Sequence, residues 1–140
     1  MEKSKQGKKN REAVRNRIRG KKARESGARF ERKVRFDLES KGWIVDRWTN
    51  NVQTNKLVPA RSRFGLRTTG FPDFIAYKKE GIYQNKIIFF CEGVECKSRG
   101  YLTKEEKAKL KWYISQHIFS EIYIAKKGKK RGQIEYIEFK

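Results

Sequence analysis

Histidine occurs once, cysteine twice and proline twice in 140 residues. One histidine and two cysteines fall short of the roughly four ligands that a structural zinc site takes. Cys91 and Cys96 lie five apart in one expected strand, where odd offsets place side chains on opposite faces, so their pairing is disfavoured. No apolar run approaches the roughly 20 residues of a membrane span, and the chain does not open on the apolar stretch of a signal peptide. The expectation is a reducing, cytoplasmic setting without a membrane partner. Acid is scarce as well: 36 Lys and Arg stand against 16 Asp and Glu, a net charge of +20. Only 36% of residues are hydrophobic, so part of the chain is expected outside any core. The charge is spread, with 15 bases against 4 acids in residues 1–35 (+11) and 21 against 12 in residues 36–140 (+9). A polyanionic partner follows, nucleic acid being the commonest. The plainer alternative is that the charge serves solubility or ribosomal-type RNA binding.

Residues 1–26 have too little apolar content to enter a core and read as a basic flexible tail, or as a basic helix that orders on DNA. Residues 27–140 read as one domain. Ser26 is a candidate N-cap, Phe30, Val34 and Leu38 form a helical stripe, and Gly42 is a stop, so the first helix is expected over residues 27–41. A strand is expected over residues 43–48. Residues 49–70 show neither period and read as a long polar loop with room for a short hairpin or helix. Strands are expected over residues 71–77 and 86–97, with a turn at residues 78–81 and Gly93 as a bulge or close approach. Thr103-Lys104-Glu105-Glu106 is a capping box opening a second helix. Its inner stripe is expected to hold Leu110, Tyr113, Ile114, His117 and Ile118, with His117 packed rather than catalytic. Strands over residues 121–125 and 134–139 close the chain, the last at an edge. The order α-β-β-β-α-β-β predicts an α/β fold, a mixed sheet flanked by helices.

Chemistry converges at three places. Pro72-Asp73 opens one strand, and Glu95-Cys96-Lys97 ends the next, 22 residues after Asp73. If those strands pair as a hairpin, both ends lie side by side, and Glu95 and Lys97 project from one face. Glu31, beside the inner stripe of the first helix, can overlook the same end. Mg²⁺ takes one or two carboxylates and keeps water and substrate oxygens, so Asp73 and Glu95 are candidate ligands with the Cys96 backbone carbonyl. Such a site activates water toward a phosphodiester, with Lys97 holding that water or stabilising developing charge.

Pro72-Asp73 followed by Glu95-Cys96-Lys97 resembles the PD-(D/E)xK nuclease signature. The chain is most similar to the archaeal-type Holliday-junction resolvases over residues 27–140, through Gly27-Ala28-Arg29-Phe30-Glu31-Arg32 and Leu38-Glu39-Ser40-Lys41-Gly42-Trp43-Ile44-Val45. Residues 93–113 also resemble virus-type replication-repair (VRR-NUC) nuclease domains. The resemblance implies a restriction-endonuclease-like core and a Mg²⁺-dependent endonuclease, with Mn²⁺ able to substitute. It implies catalytic positions for Glu31, Asp73, Glu95 and Lys97, with Glu31 reaching the metal through water. It implies branched DNA as substrate, a homodimer and no small-molecule substrate. The host setting would be nucleoid-associated, or that of a virus or phage gene acting inside its host. Residues 49–70 are longer than the family's serine-bearing loop, and Thr68 or Thr69 would stand in for that serine. The long loop and tail leave two alternatives: a sequence-specific (restriction, homing or viral) endonuclease, and a non-catalytic nucleic-acid binder on the same fold. Candidate DNA contacts are Arg15, Arg17, Arg19, Lys21, Lys22, Arg24, Arg29, Arg61, Arg63, Arg67, Thr68, Thr69 and Arg99, with Phe64 as a wedge or stacking residue.

Overall fold

A computed structural model describes residues 2–140, with side chains from residue 4 onward. The elements are α1 (Glu2–Ser40), β1 (Ile44–Arg47), β2 (Asn50–Gln53), β3 (Lys56–Pro59), β4 (Phe74–Tyr83), β5 (Lys86–Cys96), α2 (Lys104–Ser115), β6 (Glu121–Lys127) and β7 (Ile134–Glu138). Five strands form one sheet in the order β1-β4-β5-β6-β7. Its only parallel pair is β5 with β6, joined through α2, so the sheet is mixed. β7 is an edge strand, as its alternating sequence suggests.

The stripe Phe30, Val34 and Leu38 of α1 packs on Val45, Phe74, Ala76, Val94 and Ala125. On the opposite face, Leu110 and Tyr113 of α2 pack with Phe119, Ile122 and Ile124. The chain is thus an α/β fold with helices on both faces of a mixed sheet. α1 stops where glycine permits it. Gly42 takes a φ of 91°, its N–H donates to Glu39 O, and the Trp43 N–H donates to Leu38 O. Those two bonds form a Schellman closure. Trp43 then packs back against the cluster that contains Leu38.

Four expectations are corrected. The flexible tail and the start at Ser26 give way to a helix that runs unbroken through Ser26. The segment is rich in Lys, Arg, Glu and Ala, all good helix formers. It also extends a helix already anchored at Phe30, so no new nucleus is needed. From residue 4 to residue 27 every residue except Gly20 is exposed, so this half of α1 projects about 36 Å without a core. The loop of residues 49–70 contains the short hairpin for which its sequence leaves room, β2 with β3, closed by Thr54 and Asn55 at positive φ. The order is accordingly α-β-β-β-β-β-α-β-β, two strands more than expected. The turn at residues 78–81 is instead strand with an irregularity between Lys79 and Gly81. The reversal falls at Gln84-Asn85, both at positive φ, the type I′ geometry that matches strand twist. Finally, His117 is exposed, one residue beyond the C-cap Gln116, and takes the left-handed position at φ 53°.

Gly93 is a close approach and not a bulge: an added Cβ would lie 3.0 Å from the Phe119 ring. Gly70 is tighter still. A Cβ there would meet the Asn50 carbonyl oxygen at 1.9 Å, with Asn50 C and N at 2.6 and 2.7 Å. Backbone cannot swing aside as a side-chain end can. Gly70→Ala is therefore expected to cost at least about 3 kcal/mol, the upper range of overpacking. Urea unfolding checks this, and a loss under about 1 kcal/mol would contradict the packing.

Candidate active site

β4 and β5 pair antiparallel with Phe74 opposite Val94, which brings Asp73 beside Glu95. The two acids brace each other's backbone. The Asp73 N–H donates to Glu95 Oε2 at 3.0 Å, and the Cys96 N–H donates to Asp73 Oδ2 at 2.8 Å. The Trp48 N–H donates to the Asp73 carbonyl at 3.0 Å, which ties the turn to the end of β1. Behind it, Tyr113 Oη donates to the Phe71 carbonyl at 2.6 Å and accepts from Trp48 Nε1 at 3.0 Å. Trp48, Tyr113 and Phe119 stack edge-on or tilted around that bond. The aspartate is therefore carried on a rigid aromatic support.

Glu95 is 4% exposed. Burial, with the charge of Asp73 added, pushes its carboxyl up to about 9. Burial also raises Asp73, against the opposing pull of the Cys96 N–H. The proximity of Asp73 raises Glu95 further while Glu95 lowers Asp73, so of the two carboxyls Glu95 is the one that favours its proton. Glu31 of α1 is half-buried; burial first and the Asp73 charge second raise it as well. Lys97 Nζ lies 3.7 Å from Glu95 Oε1 and 2.5 Å from Glu106 Oε2. Burial works against its charge, but the bond to Glu106 and the nearby carboxylates outweigh this and hold it above the ordinary lysine value. Lys97 stays an ammonium at neutral pH.

Glu31, Asp73, Glu95, Cys96 and Lys97 are thus brought to one end of the sheet. Among the described residues no three His, Cys, Asp or Glu side chains form a ready-made cage for a metal. The donor set does fit a cation that asks for less. All three carboxyls are raised by burial, and Glu31 and Glu95 further by the Asp73 charge, while Mg²⁺ needs only one or two carboxylates, keeping water elsewhere. Asp73 and Glu95 would hold it where Glu95 now keeps a proton. Glu31 makes no hydrogen bond to either and feels Asp73 through its charge alone.

The other candidates are scattered. Arg15, Arg17, Arg19, Lys21, Lys22, Arg24 and Arg29 stand exposed along α1, and Arg99 is exposed in the turn after Lys97. Arg61 and Arg67 fold the loop instead of waiting free in it: Arg61 Nη1 donates to Gly65 O and Arg67 Nη2 to Thr49 Oγ1, each at 2.9 Å. They carry Phe64 at the loop tip, 77% exposed, with the Arg63 guanidinium 4.9 Å from its ring centre. The Thr68 hydroxyl donates to Thr69 O, and neither threonine hydrogen-bonds Asp73 or Glu95. Two residues were not expected here. Glu106 caps α2 through Thr103 and also grips Lys97. Tyr101 is 80% exposed four residues beyond Lys97. The capping box locates Glu106 at a helix start, but spacing carries no signal for its ion pair.

The Glu95 proton sets a sign. Glu95 keeps its proton to about pH 9 when folded but loses it near 4.5 when unfolded. The native state binds the extra proton, so metal-free stability from this group is full below pH 4.5 and falls as pH rises toward 9. An amide at position 95 can still accept from the Asp73 N–H and donate to its carboxylate. Glu95→Gln is therefore expected to raise Tm at pH 8 by several degrees, on the order of 1–2 kcal/mol. Thermal unfolding of the metal-free protein checks it, and a lowered Tm would overturn the retained proton.

Compared with known proteins, the chain matches no family model, no curated protein and no solved structure.

Proposed function

We propose that the chain is a Mg²⁺-dependent endodeoxyribonuclease of the PD-(D/E)xK type on a restriction-endonuclease-like core, acting on branched DNA. The observation that carries this reading is the buried, cross-braced pair Asp73 and Glu95, with Glu95 Oε1 3.7 Å from the Lys97 ammonium. Burying two acids together at a sheet end costs stability, beyond what the backbone bonds they accept require. Such costs are characteristic of sites.

Mg²⁺ bound by Asp73 and Glu95, with the Cys96 carbonyl as a further ligand, would screen the phosphate and acidify water; Mn²⁺ would substitute. Lys97, fixed as a cation by Glu106, donates to the anionic oxygen that gains charge as water adds to phosphorus. It is not the base, because it holds its proton too firmly. Glu31 is the carboxylate left to take the proton of the attacking water, and its raised affinity for protons suits that task. Water forms the new P–O bond, and the bond to the leaving sugar oxygen breaks.

The basic length of α1 holds the duplex arms through phosphate contacts. Phe64 and Tyr101, both exposed, are placed to stack on unpaired bases at a branch. The test is a cleavage assay with a four-way junction, a flap, linear duplex and single strand, each with Mg²⁺ or EDTA. Symmetric Mg²⁺-dependent cuts confined to the junction are expected. Cutting at one duplex sequence would favour the site-specific reading, and no cutting would leave a binding protein. Asp73→Asn is expected to reduce cleavage by at least about a thousandfold while junction binding persists, the scale on which electrostatic catalysis is lost. Cutting at the wild-type rate would exclude the site.

Removing residues 2–25 deletes only exposed side chains among those described, so the melting temperature is expected to stay within a few degrees. DNA binding should weaken and its salt dependence flatten as phosphate contacts go. An unchanged salt slope, measured by fluorescence anisotropy, would contradict a role for this half of α1.

A further inference from the structure

A groove runs between α1 and the β6–β7 turn. One part of it, about 350 Å³, is lined by Phe30, Lys33 and residues 127–134. The other, about 570 Å³, lies along α1 and shares Lys33, Gly132 and Ile134 with the first. Arg29, Lys33, Lys127, Lys129, Lys130 and Arg131 stand along its walls, all of them exposed.

The turn is held in shape. The Gly128 N–H donates to Gln133 O at 2.8 Å and closes it. The Gln133 side chain folds back over Gly128, where an added Cβ would lie 2.7 Å from its Cγ. Its Oε1 accepts from the Lys130 N–H at 3.3 Å. Ile134 packs on the cluster that contains Phe30, which sets the turn against α1.

The charge of the groove is unbalanced. Asp37, the acid on its wall, accepts from the Tyr136 hydroxyl at 2.6 Å and pairs with Lys41 at 2.9 Å. Glu135 pairs with Lys126 at 3.5 Å. Among the described residues, none of the six cations has an ion pair or a side-chain hydrogen bond. Like charges gathered without a counter-charge repel, and an anion relieves this.

The groove opens at the end of the sheet that holds the acid pair. β5 and β6 run parallel with Cys96 opposite Ala125. The Lys97 N–H donates to Ala125 O at 2.9 Å, and the Lys127 N–H donates to Ser98 O at 3.1 Å. The turn therefore begins beside the residue that follows Lys97. On α1, Arg29 and Lys33 stand two residues to either side of Glu31.

We propose that this groove binds the phosphodiester backbone of a DNA strand and leads it to the acid pair. A compact anion would engage two or three of the six cations, whereas evenly spaced phosphates engage them in sequence. Such contacts carry no base information, so the groove fixes where the strand lies and not which sequence is cut. The assignment rests on DNA as the substrate and adds the surface that orients it.

Fluorescence anisotropy of a labelled four-way junction with the full chain in EDTA tests this. Lys129→Glu with Arg131→Glu is compared with Lys79→Glu with Lys86→Glu. The second pair changes the charge equally on the long arm of the β4–β5 hairpin, at the other end of the sheet. All four side chains are exposed, so Tm is expected to stay within a few degrees in both variants. The groove variant is expected to lower the slope of log affinity against log salt by about 2, at roughly 0.9 per phosphate contact. Its binding at about 0.1 M salt is expected to weaken about tenfold or more, while the arm variant keeps its slope within about 0.5. Equal slopes in the two variants, or a groove variant that binds as wild type, overturn the groove. Cleavage separates the groove from the nuclease. Mg²⁺-dependent cutting with equal slopes removes the groove alone, whereas a lowered slope in a chain that cuts nothing keeps the groove and removes the nuclease.

Discussion

Two carboxyl groups in contact inside a protein repel once both ionise, and here the repulsion is held in check by the backbone of the strands that carry them. Asp73 donates its N–H to Glu95, and Asp73 in turn receives the N–H of Cys96. Neither acid can turn outward to water without breaking a hydrogen bond that belongs to the β4–β5 register. The site is therefore a consequence of that register. A slip of one residue would send Glu95 to the face covered by α1 and leave Asp73 without a partner.

Much of the surrounding structure keeps that register in place. Gly70 lets the chain pass against the Asn50 backbone on its way to Phe71. The Tyr113 hydroxyl joins Trp48 of one crossing segment to Phe71 of the next, so α2 clamps both approaches to Asp73. α1 holds the other face through Val34 and Leu38 and delivers Glu31 beside Phe30, the first residue of its core stripe. The aromatic cluster on the α2 face compensates for the acids that the same sheet end buries. Stability is concentrated behind the site, and the acid pair sits where that stability is spent.

The parts of this arrangement legible in the sequence are those set by short spacings. The hydrophobic stripe of α1, its end at Gly42 and the capping box at Thr103 follow from local rules, and the structure agrees with each. Asp73 beside Glu95 was legible because a hairpin of alternating strands leaves them no other place. What escaped depends on tertiary context. Nothing near Ser26 distinguishes a helix start from a helix interior, because the residues before it are good helix formers attached to an anchored helix. His117 fits the period of α2, but the helix ends at Ser115 with Gln116 as its C-cap, and the histidine occupies the left-handed position that follows, usually given to glycine. Lys78-Lys79-Glu80-Gly81 has the composition of a turn. The reversal belongs instead to Gln84-Asn85, whose positive φ values suit the twist of the long arm.

The distribution of charge remains to be reconciled with the reading as a nuclease. The surface, α1 above all, attracts phosphate, while the sheet end that would act on it is acidic and 4% exposed at Glu95. A phosphodiester drawn in by the lysines and arginines would meet the negative field of Asp73 and Glu31 at the last step. The Glu95 proton relieves the repulsion between Asp73 and Glu95 but leaves the pair negative and offers the phosphate nothing. A divalent cation in its place would relieve the same repulsion and reverse the sign seen by the phosphate. Lys97 alone cannot do so, because Glu106 already balances its charge. A cation between them would reconcile the acid pair with the basic surface. That is an electrostatic argument for the proposed metal that stands beside the motif.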